Sequence, residues 1–325
     1  MNITEKGKSV ILSLLLAMEM AITGGCAMSG NHAQLETRHS DFSYIRKPSG
    51  GSDVLGENRG AITKDKDVPR MSSDELENSG DMYLTNGNLA MAFVNYEKAL
   101  QLNARNLRVV YKKGLLLLSA GLYQDAEKVF AQLVDAEPHN ALAHQGLGRT
   151  YFQMRRYEDA KTSLQRAVDV DPTLWTAYNL LGIIYDDRNE HQAALVEYRK
   201  AISLRPQEGM LYHNLGVCFS LQGMYSEAIE AFKVAVAKGY HKSRTYNCLG
   251  LSLSKLGRYQ EAFQSFKTGG TLASAYNNLG FVYLNEGKQG SAIECFEKAM
   301  ASNPEFYATA SKNLEAARTN SSLVW

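Results

Sequence analysis

The sequence is poor in the residues that most often mark chemistry or break helices. Only 6 of its 325 residues are proline and 4 are cysteine, and no two cysteines have the Cys-x-x-Cys spacing of a zinc or redox site. The net charge of +1 lacks the basic excess that a nucleic-acid-binding surface requires. The apolar run from Val10 to Ile22 is too short for a good membrane span. These shortages argue against a zinc or thiol redox centre and against a nucleic-acid partner.

Catalytic motifs are missing as well. The sequence contains no Gly-x-Ser-x-Gly nucleophile elbow, no His-Glu-x-x-His motif, no phosphate loop and no dinucleotide fingerprint. The acidic pair Asp186-Asp187 could act as a general acid and base, but a solvated or partner-facing charge is the favoured interpretation. We therefore predict no catalytic residue, no metal site, no cofactor and no small-molecule substrate, and hence no enzyme.

Residues 1–25 have the features of a lipoprotein signal peptide. Lys6 and Lys8 precede the apolar run, and Thr23-Gly24-Gly25 leads into Cys26. A small-residue pair before a cysteine resembles the bacterial lipobox, and this resemblance implies that the Cys26 thiol carries a diacylglycerol. Ala27 next to it resembles lipoproteins sent to the outer membrane, which implies a lipid anchor on its periplasmic face. The alternatives are ordinary cleavage after Ala27 and a short apolar start on a cytosolic protein.

Residues 26–72 form the next segment, rich in Gly, Ser, Asn, Asp, Lys and Arg. Its apolar residues are sparse and have no period, so it cannot bury enough surface to offset its ordering entropy. We predict a flexible tether, in which Phe42, Tyr44 and Ile45 are the local apolar cluster.

From Ser73 the chain repeats with a period of 34 residues. A small residue is followed at constant spacings by an aromatic residue or leucine, an alanine and a second large residue, as in Gly80, Tyr83, Ala92 and Tyr96. The pattern recurs in seven units, residues 73–106, 107–140, 141–174, 175–208, 209–242, 243–272 and 273–306. Each unit contains two amphipathic helical patterns that cannot bury their apolar faces alone, so the units must stack.

This pattern resembles the tetratricopeptide repeat. The resemblance implies an all-α fold, a right-handed superhelical solenoid of seven repeats. Residues 307–325 are predicted to supply a capping helix and a tail.

The repeat pattern also assigns packing roles. The first-helix glycines let the second helix approach, the second-helix alanines fit against them, and Tyr83, Tyr151, Tyr185 and Tyr283 belong to the core. The sixth repeat has only 30 residues and ends its second helix at Gly269-Gly270, which predicts a shortened helix and a bend. Cys218, Cys248 and Cys295 are predicted to be free thiols, because their helices lie too far apart for a disulfide.

The resemblance further implies that the first helices line a concave face that binds a segment of another protein. Its apolar residues would bury side chains of the partner, and its asparagines would pair with the partner's backbone. An Hsp90-type co-chaperone clamp is disfavoured, because Glu77 and Asp81 occupy places that should be basic or amide. The predicted face comprises Arg108, Tyr111, Lys112, Leu115, Arg149, Phe152, Asn179, Ile183, His213, Asn214, Val217, Arg244, Asn247, Asn277, Asn278 and Phe281.

The C-terminal sequence YNNLGFVYLNEG…AIECFEKAMASNPEFYATASKNLEAA is similar to the TadD-type lipoproteins of Tad/Flp pilus assembly. This resemblance implies a pilotin-like role, in which the protein binds a secretin subunit or another pilus or secretion component and helps the secretin assemble. The alternative is a periplasmic adaptor that presents peptidoglycan hydrolases or proteases to their substrates.

Overall fold

The computed structural model describes residues 71–303 and 307–319. These residues form fifteen α-helices and no strand. Fourteen of the helices form seven consecutive pairs, which is the all-α repeat architecture that the sequence predicts. The signal peptide, Cys26 and most of the tether lie outside the described residues. The helices are α1 Ser73–Thr85, α2 Leu89–Leu102, α3 Leu107–Ser119, α4 Tyr123–Ala136, α5 Ala141–Gln153, α6 Tyr157–Val170, α7 Trp175–Asp187, α8 His191–Leu204, α9 Gly209–Leu221, α10 Tyr225–Ala237, α11 Ser243–Lys255, α12 Tyr259–Gly269, α13 Leu272–Asn285, α14 Gln289–Ser302 and α15 Tyr307–Thr319.

The contacts divide these helices into two compact units. One unit contains α1–α6 and ends at Pro172, and the other contains α7–α15 and begins at Thr173. Within each unit, every helix packs against the helix that follows it in the sequence.

The turn inside each pair is tight and needs a residue with a positive φ. Gly287 has a φ of 74°, as expected for a residue without a Cβ in such a turn. Arg155 and Asn189 take the same place in the third and fourth repeats with φ values of 59° and 61°. The turn geometry is therefore kept even where the glycine is replaced.

The core of each pair is a second-helix side chain that packs on a first-helix glycine. A Cβ on Gly182 would lie 2.6 Å from the Tyr198 ring, and one on Gly216 would lie 2.7 Å from the Phe232 ring. The predicted role of these glycines is confirmed, but the group that demands them is the large side chain rather than the alanine. The rings of Tyr96, Phe130, Tyr198, Phe232, Phe266 and Phe296 are all buried in this way.

The tyrosines predicted as core lie at its edge. Tyr83, Tyr151, Tyr185 and Tyr283 are half-buried and pack against the buried clusters. The second-helix alanines, in contrast, are completely buried, as at Ala92 and Ala292.

The sixth repeat has the shortened second helix that its length predicts. Helix α12 has 11 residues, whereas α14 has 14. Gly269 is buried at its end, and a Cβ there would lie 2.7 Å from the Tyr246 Cβ and 3.0 Å from the Ser243 carbonyl oxygen. Helix α13 then begins at Leu272, one residue before the expected start, with Thr271 as its N-cap.

Helix α15 covers the last repeat. Its Leu314 and Ala317 are buried in one cluster with Phe296 and Ala292 of α14. Gln289 of α14 donates a hydrogen bond to the carbonyl oxygen of Ala317. The predicted capping helix is therefore present.

The cysteines and the apolar character of the helices also bear on the predictions. Cys218, Cys248 and Cys295 are free and buried, as predicted. None of the described helices combines the length and the apolar character needed to cross a bilayer.

Candidate binding face on the first helices

Within each unit, the first helices of successive repeats contact one another directly. Helix α3 contacts α5, and α9 contacts α11. We call the sixteen predicted residues on these helices the first-helix face. Their exposure differs widely. Arg108 and Arg149 are exposed, Tyr111, Lys112, Leu115, Phe152, Ile183, Asn214, Val217, Arg244 and Asn278 are half-buried, and Asn179, His213, Asn247, Asn277 and Phe281 are buried.

The five buried residues correct the prediction of a face open along all its positions. Four of them, Asn179, His213, Asn247 and Asn277, occupy the fifth place of a repeat. The side chain at that place is covered by the next first helix or, for Asn277, by α15. Phe281 is only 3% exposed and belongs to the packing of α13 rather than to an accessible surface.

The buried asparagines form hydrogen bonds between helices. Asn214 donates its amide N–H to the Asn179 Oδ1 at 2.8 Å, and Asn278 does the same to the Asn247 Oδ1 at 3.3 Å. Asn313 of the capping helix donates to the Asn277 Oδ1 at 2.9 Å. These amides hold neighbouring helices together. Of the predicted asparagines, only the half-buried Asn214 and Asn278 can still bind the backbone of a partner.

His213 is also an internal residue. Its Nδ1 lies 3.1 Å from the Thr245 hydroxyl, and its ring packs on Phe232 and Tyr240 with centroid distances of 5.6 Å. Burial, helped by the positive charge of Arg244, lowers the pKa of His213 to about 3. The imidazole is therefore neutral at ordinary pH and adds no charge to the face.

In the N-terminal unit the face is dominated by ion pairs around the buried Glu77. Lys112 Nζ lies 2.6 Å from one carboxylate oxygen of Glu77, and Arg108 lies 2.7 Å from the other. Burial acts to raise the pKa of Glu77, but the hydrogen bonds and charges of Arg108 and Lys112 bring it below its usual value. Lys112 also forms an ion pair with Asp81, and Asp81 accepts a hydrogen bond from the Tyr96 hydroxyl. Both cations are thus engaged by acidic side chains, which fits the prediction that no co-chaperone clamp is formed.

Beyond this network the N-terminal unit presents aromatic rings and one exposed cation. Tyr111 packs edge-on against Phe130 at 5.9 Å, and Phe152 packs against Tyr157 at 5.6 Å. Burial raises the pKa of Tyr111, although the nearby charge of Arg149 opposes this. Arg149 and the two half-buried rings can together receive an acidic or aromatic side chain of a peptide.

In the C-terminal unit the half-buried part of the face is apolar and amide apart from Arg244, which donates a hydrogen bond to the Tyr240 hydroxyl at 2.7 Å. Ile183 and Val217 are half-buried and pack on the clusters beneath them. Asn214 uses one of its two amide N–H groups within the protein, so its second N–H and its carbonyl oxygen can meet a peptide backbone. This combination can bury small apolar side chains and pair with a main chain.

A second group of polar residues, none of them among the sixteen of the first-helix face, was not predicted as a group. Asp186 is buried, which contradicts its interpretation as a solvated or partner-facing charge. It lies 2.9 Å from the His191 Nδ1 and accepts the Tyr198 hydroxyl at 3.0 Å. Among the described residues, Asp186, His191 and Cys218 are one group whose side-chain types could hold a metal ion. No sequence motif indicates this group, because its members come from three different helices, α7, α8 and α9, of two repeats.

Stacked, consecutive helix pairs define a helical-repeat protein of the kind that binds other proteins. Family models described as tetratricopeptide repeat match residues 117–181, residues 76–106, 176–208 and 273–306, and residues 243–267. Together these matches span more than half of the chain, which belongs to the tetratricopeptide-repeat family. Members of this family generally bind proteins. Comparison with curated proteins gives no match.

Solved structures with a TM-score above 0.5 support the fold. PilW, described as a widely conserved type IV pilus biogenesis factor, is 17% identical, with a TM-score of 0.56 over 59% of this chain and 90% of its own. A tetratricopeptide repeat protein from Parabacteroides merdae ATCC 43184 is 16% identical, with a TM-score of 0.54 over 76% of this chain and 98% of its own. A MamA structure is 30% identical and covers 50% of this chain and 94% of its own, with a TM-score of 0.44.

Proposed function

We propose that this protein is a non-enzymatic scaffold, anchored by lipid on Cys26 to the periplasmic face of the outer membrane, that helps a secretin assemble in Tad/Flp pilus biogenesis. The first-helix face carries the proposal. In the N-terminal unit it combines aromatic side chains with the exposed Arg149, and in the C-terminal unit it combines apolar side chains with amides; each combination suits a segment of another protein. The fold shared with a type IV pilus biogenesis factor and the resemblance to TadD-type lipoproteins support the choice of partner.

The charge of the N-terminal unit indicates the chemistry of the bound segment. Arg108 and Lys112 are neutralised by Glu77 and Asp81, whereas Arg149 is exposed beside Tyr111. A segment with an acidic or aromatic residue near its centre would therefore bind there, and its apolar residues would cover Phe152 and Leu115. The partner that we propose is a segment of the secretin subunit.

Co-purification from the native host tests this proposal. The tagged full-length chain is expected to retain the secretin, and the charge reversal Arg149→Glu should reduce the recovered secretin at least about tenfold, the loss of one buried charge contact. Arg166→Glu is the matched control, because Arg166 is exposed on α6, a second helix. It should leave recovery unchanged.

Two results would overturn the pilus assignment. One is the absence of secretin from the purified protein together with normal secretin multimers in a deletion strain. The other is recovery of a peptidoglycan hydrolase or protease in its place, which would support the adaptor function instead.

The lipid anchor has its own test. Palmitate labelling of the full-length chain should be lost in Cys26→Ser and kept in Cys295→Ser, since Cys295 is a buried cysteine of α14. Unchanged labelling of Cys26→Ser would rule out Cys26 as the lipidated residue.

A further inference from the structure

Three side chains of the C-terminal unit converge where the fourth repeat meets the fifth. Asp186 lies near the end of α7, His191 begins α8, and Cys218 lies in the middle of α9. One carboxylate oxygen, one imidazole nitrogen and the sulfur all lie within 4.8 Å of one another. None of the three is among the sixteen residues of the first-helix face.

Neighbouring side chains hold two of these groups in place. The Tyr198 hydroxyl donates a hydrogen bond to the Asp186 Oδ2 at 3.0 Å, which leaves Oδ1 directed at His191. The Gln222 amide lies 3.5 Å from the Cys218 sulfur. Partners of this kind orient the ligands of metal sites in proteins.

The arrangement does not fit a cysteine nucleophile. The Cys218 sulfur directs its weak hydrogen bond to the main-chain oxygen of His191 at 3.6 Å rather than to the imidazole. Cys218 is fully buried, so its sulfur is closed to an incoming substrate.

We propose that Asp186, His191 and Cys218 form a binding site for a single zinc ion. Sulfur, imidazole nitrogen and carboxylate oxygen are the three ligand types that zinc takes in proteins, and a water molecule can complete the tetrahedron. A thiolate and a carboxylate together balance the charge of Zn²⁺, so the occupied site buries no net charge. The thiolate and the imidazole favour zinc over calcium or magnesium, which prefer oxygen.

Only small movements are needed to close the site. Ligand atoms of a tetrahedral zinc ion lie roughly 3.3–3.8 Å apart. The Asp186 oxygen and the His191 nitrogen, now 2.9 Å apart, would separate slightly, and the sulfur would move inward from at most 4.8 Å. His191 is partly exposed, with 15% of its side chain accessible, and offers the ion a route from solvent.

The binding step involves no change of oxidation state. The S–H bond of Cys218 breaks, a sulfur–zinc bond forms, and the proton leaves to solvent with the displaced waters. The proton that Nδ1 donates to the Asp186 Oδ1 leaves to solvent and Nε2 takes one up, so the imidazole stays neutral and binds zinc through Nδ1, while the Asp186 Oδ1 turns from the imidazole to the ion. Binding thereby joins α7, α8 and α9, so zinc should stabilise the contact between the fourth and fifth repeats.

Metal titration of the full-length chain, stripped with a chelator and free of any histidine tag, tests the site. We expect one zinc ion per chain, and with Co²⁺ as the probe an absorption band typical of thiolate coordination. Cys218→Ser should remove that band and weaken zinc binding at least tenfold. Cys248 is a buried cysteine of α11, and Cys248→Ser should keep both the absorption band and the zinc affinity. Failure of the wild-type chain to bind zinc, or equal zinc affinity in Cys218→Ser, would overturn the proposal.

A second variant protects the test against misfolding. His191→Ala changes a partly exposed residue, so the helical circular-dichroism signal should persist. Zinc should raise the unfolding temperature of the wild-type chain and of Cys248→Ser but not of His191→Ala. An equal rise in His191→Ala would exclude His191 as a ligand and contradict the site.

Discussion

Single glycines set how closely the two helices of each repeat approach. Gly216 faces the buried Phe232 ring, and a Cβ added there would lie 2.7 Å from it. Gly290 of α14 lies on the surface, with no atom within 4 Å of its added Cβ. The two glycines are therefore chemically alike but differ in what surrounds them.

Gly216→Ala is expected to destabilise the protein by about 1–3 kcal/mol, because the added methyl group forces the helices of the fifth repeat apart. Gly290→Ala should be neutral or stabilising by up to about 1 kcal/mol, since alanine favours the helix. Urea unfolding followed by circular dichroism measures both changes. Equal midpoints for Gly216→Ala and the wild-type chain would contradict the packing described for this glycine.

The buried His213 should make stability depend on pH. Its pKa is lowered to about 3 in the folded protein, chiefly by burial, whereas an unfolded histidine titrates near its ordinary value of 6.5. Below pH 6.5 protons therefore bind the unfolded chain preferentially. The stability contributed by the neutral ring is complete above that pH and is lost as pH falls toward 3, with about 2 kcal/mol lost by pH 5.

His213→Gln tests this dependence, because Gln145 fills the equivalent place in the third repeat. The change in unfolding midpoint between pH 7 and pH 5 should be smaller in the variant than in the wild-type chain. If both lose the same stability, the buried imidazole is not the source of the effect.

What the sequence reveals at this scale depends on whether a residue's partner lies in the same repeat. The glycine role at Gly182 follows from a spacing within one repeat and is confirmed. Asn179 and Asp186 are instead buried against the next repeat, where Asn214 on α9 donates to Asn179 and Cys218 on α9 lies within 4.8 Å of Asp186. Polarity alone places both residues in solvent, and a linear pattern carries no sign of the hydrogen bonds that compensate their burial.

At the scale of helices, the junction between α12 and α13 is the place where the repeat is altered. Helix α12 ends at Gly269, and after Gly270 the next helix begins directly behind Thr271. The Thr271 hydroxyl accepts the N–H of Ser274 at 3.1 Å, and the Ser274 hydroxyl lies 2.8 Å from the Thr271 nitrogen. This reciprocal cap provides the start of α13 after a connection that is too short for the usual proline turn.

Thr271→Ala should cost about 1 kcal/mol, since it leaves the N–H of Ser274 at the start of α13 without its side-chain partner. Thr268→Ala is the matched control, because the Thr268 hydroxyl bonds only to the Gln264 carbonyl oxygen on an exposed helix surface. Its effect should stay within about 0.5 kcal/mol. Equal effects of the two changes on the unfolding midpoint would exclude a special role for the cap.

The helices themselves could be predicted well from the sequence because their determinants are local. The period of 34 residues, the small residues and the turn glycines gave a shortened α12 and a capping helix, and both are present. The start of α13 at Leu272 was missed by one residue, because the Thr271–Ser274 cap lacks the acidic residue of the usual capping pattern.

At the scale of the whole molecule, a repeat array gains its stability from contacts between neighbours. Each unit is a series of helices in which each packs on the next, and α15 is the last contact of the C-terminal unit. In the C-terminal unit the exposure of the first-helix face follows from the same stacking, because the fifth-place residue of each repeat bonds to the next first helix or, in the last repeat, to α15. Sequence periodicity could not distinguish covered from open places along that face, because both fall on the same side of a helix.

Nearest-neighbour stacking also predicts which helices lose stability when one contact is weakened. Leu314 of α15 is buried against Phe296 in α14, and Asn313 beside it donates to Asn277 in α13. Leu314→Ala should cost about 2–4 kcal/mol for a buried leucine. Because that energy belongs to the terminal contact, amide hydrogen exchange should accelerate at least about tenfold in α13 and α14 and stay unchanged in α3 and α4 of the other unit.

Leu102→Ala, at a leucine that is 62% exposed, is the matched control and should alter exchange in neither region. A uniform acceleration across both units would show that the chain unfolds as one cooperative body and would contradict stability by nearest neighbours.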